Sequence, residues 1–258
     1  MERQFAAPYF LALAGIPVSA GLWAWSLNAA VDNLGLPVMH RSIYIFLAAA
    51  AVYLLLSLLC SLRTPCRSGH STVFQYGRSG WICAAISSGM ILLGAVAEFW
   101  ESLVSAPGFS APIMFLLGLL GGFSAFATAL FRRRPGRRPP APEIIPVVYL
   151  LIKTMLNFKH WSTDPVILDY CVQLFALIFT MLAFFRGAGF VLNQGKPRRA
   201  LFDCLAAEFF CAAALMDGIH SLSLSAIITY GGFLLWQLPV IWDLLTPRPV
   251  DSTVQDPL

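Results

Sequence analysis

Two ionisable side chains stand deep inside apolar runs of the chain: Lys153, in a run from about 144 to 161, and Glu208, in one from about 199 to 217. An ionisable group at the centre of a bilayer costs at least about 2.5 kcal/mol on insertion scales, so it is expected to meet an opposite charge or water. Both runs are expected to begin on the same side of the membrane. Each residue then lies some nine positions, ~14 Å at ~1.5 Å per residue, from that side. Equal depth and opposite sign pair Lys153 with Glu208. Such a pair can act as a proton- or ion-coupled gate, hold a charged solute, or be a structural salt bridge that fixes two helices in register.

A second group of polar side chains gathers on the opposite side: Asp32, Glu98, Glu101, Asp164, Asp169 and Asp217, with His40, His160 and His220. Carboxylates and imidazoles together can attract cations, sense pH or hold a metal. No two of these histidines have a metal-binding spacing such as HxxxH, so no metal and no cofactor is expected. Loops that exclude Lys and Arg are acidic by default, which makes a solvated face the plain alternative.

Glycine pairs form a third candidate. Gly121-Gly122-Phe123 and Gly231-Gly232-Phe233 fall at similar depths in two apolar runs, and glycine interruptions at matching depths of two halves can mark a central binding site. Close helix packing through small residues is the alternative, with Gly118, Gly121 and Gly122 on one face.

These residues need elements to hold them. Of 258 residues, 58% are hydrophobic and only 12% charged, and the mean hydropathy is strongly positive. A soluble domain needs far more polar surface than this. The apolar runs are continuous rather than alternating in polarity, which excludes barrel strands and leaves helices. About 20 helical residues cross a hydrocarbon layer of ~30 Å. Spans are expected at 6–29, 43–62, 80–100, 109–131, 144–161, 166–190, 199–217 and 222–245. The fifth is short and carries Lys153, and the seventh carries Asp203 and Glu208. The fold class is therefore all-α, a polytopic transmembrane bundle of about eight spans.

Positive charge orients it. Arg63, Arg67 and Arg78 lie between spans two and three, and Arg132, Arg133, Arg134, Arg137 and Arg138 between four and five. Arg186, Lys196, Arg198 and Arg199 lie around the connection from six to seven, whereas the alternate connections hold only Arg41 and Lys159. Because Lys and Arg are retained in the cytoplasm, both termini are expected inside. The net charge of +4 then reflects topology rather than nucleic-acid binding. The Arg132–Arg138 cluster can also attract anionic lipid headgroups or a protein partner. Trp100 and Trp161 mark one membrane interface, Trp81 and Trp242 the other.

That basic, Pro-rich linker, residues 132–142, divides the chain into residues 1–131 and 143–258, four spans each. Pro8 matches Pro146, Tyr44 matches Tyr170, Trp81-Ile82-Cys83 matches Phe202-Asp203-Cys204, and the glycine pairs match each other. A duplication of four spans would give two parallel repeats. The start of the chain, with Val18-Ser19-Ala20, resembles a signal peptide, but the apolar run continues through Leu22 to Trp25 and favours an uncleaved first span. The six cysteines lie within spans or near the cytoplasmic end of span two, so they read as small packing residues rather than disulfides.

The stretch from Tyr149 to Asp217, with Trp161, Asp164-Pro165 and Asp169-Tyr170 ahead of a long apolar span, resembles uncharacterised polytopic membrane proteins of clostridia-like bacteria. That resemblance implies a bacterial inner-membrane protein and no particular activity. Eight spans are shared with intramembrane hydrolases of ether-lipid metabolism, but no residue motif ties the chain to them. GxSxG, HExxH, P-loop and dinucleotide signatures are absent, and the loops are too short for a catalytic domain. Two function classes remain: a small-solute or ion secondary transporter with Lys153 and Glu208 at its centre, and a non-transporting membrane sensor, scaffold or assembly factor.

Overall fold

The computed structural model describes residues 3–29, 41–63, 74, 77–105, 110–133, 141–161, 167–192 and 194–246. Among these, the regular structure is eight α-helices: α1 Arg3–Ala29, α2 Arg41–Arg63, α3 Arg78–Ser105, α4 Ser110–Arg133, α5 Ala141–Trp161, α6 Ile167–Val191, α7 Pro197–His220 and α8 Leu224–Leu245. The eight expected spans correspond to them one for one. Seven of the helices are long and apolar enough to cross a membrane, and the exception is α7. The chain is a multi-pass helical membrane protein, and lipid is its solvent.

Because backbone polar groups cannot turn to water in such a solvent, helix is imposed on every span. Many hydroxyls bond back into their own helix: Ser26 donates to the Trp23 carbonyl, Ser61 to Leu58, Ser88 to Ala85 and Thr154 to Leu150. The turn from α7 to α8 is tight. Leu222 takes the left-handed conformation at φ 55°, Ser223 N–H donates to the Gly218 carbonyl, and the Ser223 hydroxyl caps α8 by accepting from the Ala226 N–H at 3.3 Å.

Helices α3, α4, α5, α6, α7 and α8 each pack on the next, and α8 packs back on α3. The result is a closed ring of six. The remaining two, α1 and α2, pack on each other and on the outer side of α7, with α1 also touching α8. The four-plus-four duplication does not describe this arrangement. α6 packs on α7, whereas its supposed equivalent α2 has no comparable packing on α3, and α7 packs on α1 and α2 as well as, more extensively, on α6 and α8 of its own half.

The least apolar helix is the most enclosed one. Residues 203–214 of α7 are buried without a break, more than three turns, so no face of that stretch meets lipid. Its alanines, Ala206, Ala207, Ala212, Ala213 and Ala214, let α1, α2, α6 and α8 approach closely. With 24 residues, α7 is about 36 Å long, enough to cross. A helix sheathed in protein need not be lipid-soluble, which explains why span seven, like the short span five, was weak by hydropathy.

Candidate functional site

Lys153 and Glu208 do not meet. α6 lies between α5 and α7 in the ring, so two residues at comparable depth remain on helices that do not pack on each other. Lys153 instead donates to Glu98 Oε2 at 2.5 Å, reaching from α5 to α3, with Lys153 buried and the Glu98 side chain 36% exposed. These two helices are not neighbours either. They reach each other because α4 between them presents glycine: a Cβ on Gly121 would stand 3.0 Å from Tyr149 Cδ1, and one on Gly118 would stand 2.6 Å from the Ala95 methyl. With those Cβ atoms missing, Tyr149 lies flat against α4 and Lys153, one turn further along α5, extends past it. The ammonium is 5.8 Å from the centre of the Tyr149 ring, and Tyr230 of α8 is within electrostatic reach.

Ten residues back along α5, about 15 Å, a second ion pair closes the Arg-rich end of the ring. Arg132 at the end of α4 and Glu143 at the start of α5 are 3.2 Å apart, with side chains only 3% and 6% exposed. The guanidinium lies 4.1 Å over the Phe74 ring and 5.7 Å from that of Trp236 on α8, whose indole stacks on Phe184 of α6. A Cβ on Gly187 of α6 would collide with Glu143 Oε2 at 2.6 Å. Four ring helices thus converge on one ion pair. Arg132, one of the cluster that could attract lipid headgroups, is instead drawn inward by its counter-ion and two aromatic faces. Arg133 stays exposed, over Trp81 at 4.8 Å, and Arg134, Arg137 and Arg138 lie outside the described residues.

The matched glycines do not interrupt their helices, which run unbroken through both pairs. They are contact points instead. A Cβ on Gly122 would stand 2.6 Å from Leu92 Cγ, one on Gly231 3.0 Å from Met90 Cε, and one on Gly232 3.1 Å from Met90 Cβ. Ser87 of α3 also donates to the Gly232 carbonyl at 2.7 Å. Close packing is the role the geometry assigns to them.

The acidic group is dispersed among separate tasks. Glu98 holds Lys153. Glu101 accepts from the Ser225 N–H at 3.0 Å and from its hydroxyl at 2.6 Å, placing a carboxylate at the N-terminus of α8 where the helix dipole favours it. Asp217 accepts from the Gln173 amide, and His220 is exposed. Among the described residues no group of three His, Cys, Asp or Glu side chains could hold a metal. Asp32, His40 and Asp164 lie outside the described residues, as do the side chains of His160 and Asp169, whose backbones belong to α5 and α6. The groove between α5 and α6, lined by Met155, Phe158, Leu174 and Phe175 together with Thr154 and Cys171, is apolar and has no charged group.

Glu208, halfway along α7, is wholly buried, and neither carboxyl oxygen has a hydrogen-bond partner among the described residues. Sequence reasoning singled out both Lys153 and Glu208 but missed the Arg132–Glu143 pair, since both members sit at span ends where charge is ordinary. The signal was slight: a lone Glu143 opening a helix opposite a run of arginines.

Comparison of the chain with family models, with curated proteins and with solved structures finds no match.

Proposed function

We propose that the protein is a secondary transporter for a small solute in the cytoplasmic membrane of a bacterium, with its Arg-rich end inside. The observation carrying this reading is the stacking of two ion pairs along the interior of one six-helix ring, Arg132–Glu143 at one end and Lys153–Glu98 nearer the other. Each pair joins different helices, and buried aromatic side chains accompany them, Trp236 beside Arg132 and Tyr149 and Tyr230 near Lys153. Alternating access needs a closure on either side of a central site, with one opening while the other holds. An ion pair suits such a closure, because its members are strongly held together when dry and readily separated when water reaches them. The proposed cycle opens Lys153–Glu98 to one side and Arg132–Glu143 to the other, with the solute held near Tyr149.

A cysteine at Tyr149→Cys, in a background whose native cysteines are replaced, tests this with a membrane-impermeant thiol reagent applied from each side. Adding Glu98→Gln is expected to raise labelling severalfold from the acidic side, and adding Glu143→Gln from the Arg-rich side. Labelling that stays at background in both variants until the protein is denatured overturns the transport reading. In that case the ion pairs are fasteners of a dry bundle, the behaviour of a scaffold or sensor.

A further inference from the structure

Outside the ring, α1 and α2 close over α7 around Glu208, a mid-helix acid that is fully buried with both oxygens unpartnered among the described residues. From α2 come Tyr53 and Ser57, one turn apart, whose buried hydroxyls face each other. The Tyr53 ring stacks on Phe209, next to Glu208, with centroids 4.5 Å apart, and the phenol within electrostatic reach of the Glu208 carboxyl. α1 makes room for it: a Cβ on Gly15 would stand 2.6 Å from Tyr53 Oη. One turn further along α1, the Ser19 hydroxyl donates to the Phe209 carbonyl at 2.6 Å and fixes α1 on α7.

The titratable groups near Glu208 are Tyr53 from α2, with Cys60 behind it, and Cys204 and Cys211 from α7 itself. α1 contributes Gly15 and Ser19, and α6 contributes Thr180, which contacts Cys211. No charged group on any of these helices or on α8 offsets the burial of Glu208 among the described residues. An ionised carboxylate in this place costs several kcal/mol, whereas the neutral acid costs about 1–3 kcal/mol. A hard metal cation gathers about six oxygens or more, and among the described residues this junction offers the side-chain oxygens of the carboxyl, one phenol and the Ser19 and Ser57 hydroxyls, of which Ser19 is already bonded to the Phe209 carbonyl.

We infer that Glu208 is a proton-binding site, and, on the transport reading above, the site that couples solute movement to a proton. The proton comes from water entering the α1–α2–α7 junction and is held on a carboxyl oxygen while the junction is closed. Ionisation requires the junction to open, so charge movement and helix movement are tied together. Because α7 is both the floor of this junction and a wall of the ring, the two events share one helix.

Infrared difference spectroscopy of the protein in lipid nanodiscs, acid minus alkaline, tests the assignment. A carboxylic-acid C=O band is expected that disappears at alkaline pH, is missing from Glu208→Gln and changes frequency in Tyr53→Phe, where the one facing phenol is lost. Should Glu208→Gln fail to assemble, Tyr53→Phe reports on the wild-type acid. The assignment is overturned if Glu208→Gln leaves the difference spectrum unchanged or Tyr53→Phe leaves the band unmoved. It is equally overturned if sodium chloride, but not choline chloride, discharges the band at fixed pH, which would mark a sodium site. No solute is needed, so background thiol labelling with an intact band removes transport and leaves the proton site. The converse result removes the proton site alone.

Discussion

The ring and its flank treat buried charge in opposite ways. Within the ring, Arg132 has Glu143 and Lys153 has Glu98, and at the Arg-rich end Arg186 of α6 meets Asp203 of α7 at 3.1 Å. On the flank, Glu208 is buried more deeply than any of these, and its carboxyl oxygens have no hydrogen-bond partner among the described residues. Both arrangements are costly in a low-dielectric interior, but they leave different freedoms. A paired charge can be moved only by separating it from its partner. An acid without a partner can become neutral by taking up a proton and so remain in place.

The contrast breaks most visibly if a ring pair is removed. Arg132→Met takes the guanidinium from Glu143 and from between Phe74 and Trp236, and is expected to lower stability by about 3–5 kcal/mol. Unfolding by denaturant in mixed micelles measures it. Replacing both partners, Arg132→Met with Glu143→Leu, is expected to recover most of the loss, because the stranded carboxylate goes with the guanidinium. A double variant as unstable as the single one would show that the packing of Arg132 on the aromatic rings, and not the charge, holds that end together.

How much of this was legible beforehand depends on what each residue responds to. Spans follow from lipid, a uniform solvent, so α1 to α4, α6 and α8 were readable from apolar run length, while the short α5 with its Lys153 needed the positions of the loop charges as well. α7 answers to its protein neighbours, and its Asp203 and Glu208 made it look like a poor span when they instead mark the enclosed one. The partner of Lys153 was unreadable for a related reason. Depth along a span is a sequence quantity, but the order of helices around the ring is not, and α6 standing between α5 and α7 decides against Glu208. Glycine carries the same ambiguity: the spacing of Gly118, Gly121 and Gly122 predicts a small-residue face, but only the positions of Tyr149, Ala95 and Leu92 say what fills it.

The seam that closes the ring, α3 on α8, offers a smaller test. In Gly232→Ala the new methyl would stand 3.1 Å from Met90 Cβ and 3.2 Å from the Ser87 carbonyl oxygen, and a carbonyl cannot step aside as a side chain tip can. Overpacking of this kind costs about 1–3 kcal/mol. It also strains the bond from the Ser87 hydroxyl to the Gly232 carbonyl. The expected outcome is a lower unfolding midpoint. Unchanged stability combined with altered thiol labelling at Tyr149→Cys would instead make Gly232 a flexible point of α8, and the ring a more mobile structure than its packing implies.

The smallest effect is expected where the sequence shows its most conspicuous buried charge. Glu208→Gln removes no ion pair and no hydrogen bond of the described structure, and glutamine matches glutamic acid in shape. If the acid is neutral in the closed bundle, the substitution exchanges one uncharged polar group for another, and stability stays within about 1 kcal/mol of wild type. If the carboxylate is ionised there, removing an uncompensated charge must stabilise the protein by several kcal/mol. The same unfolding measurement that places Arg132→Met far below wild type therefore separates the two states of Glu208. A large gain would mean that the flank stores its charge under strain and does not carry a proton.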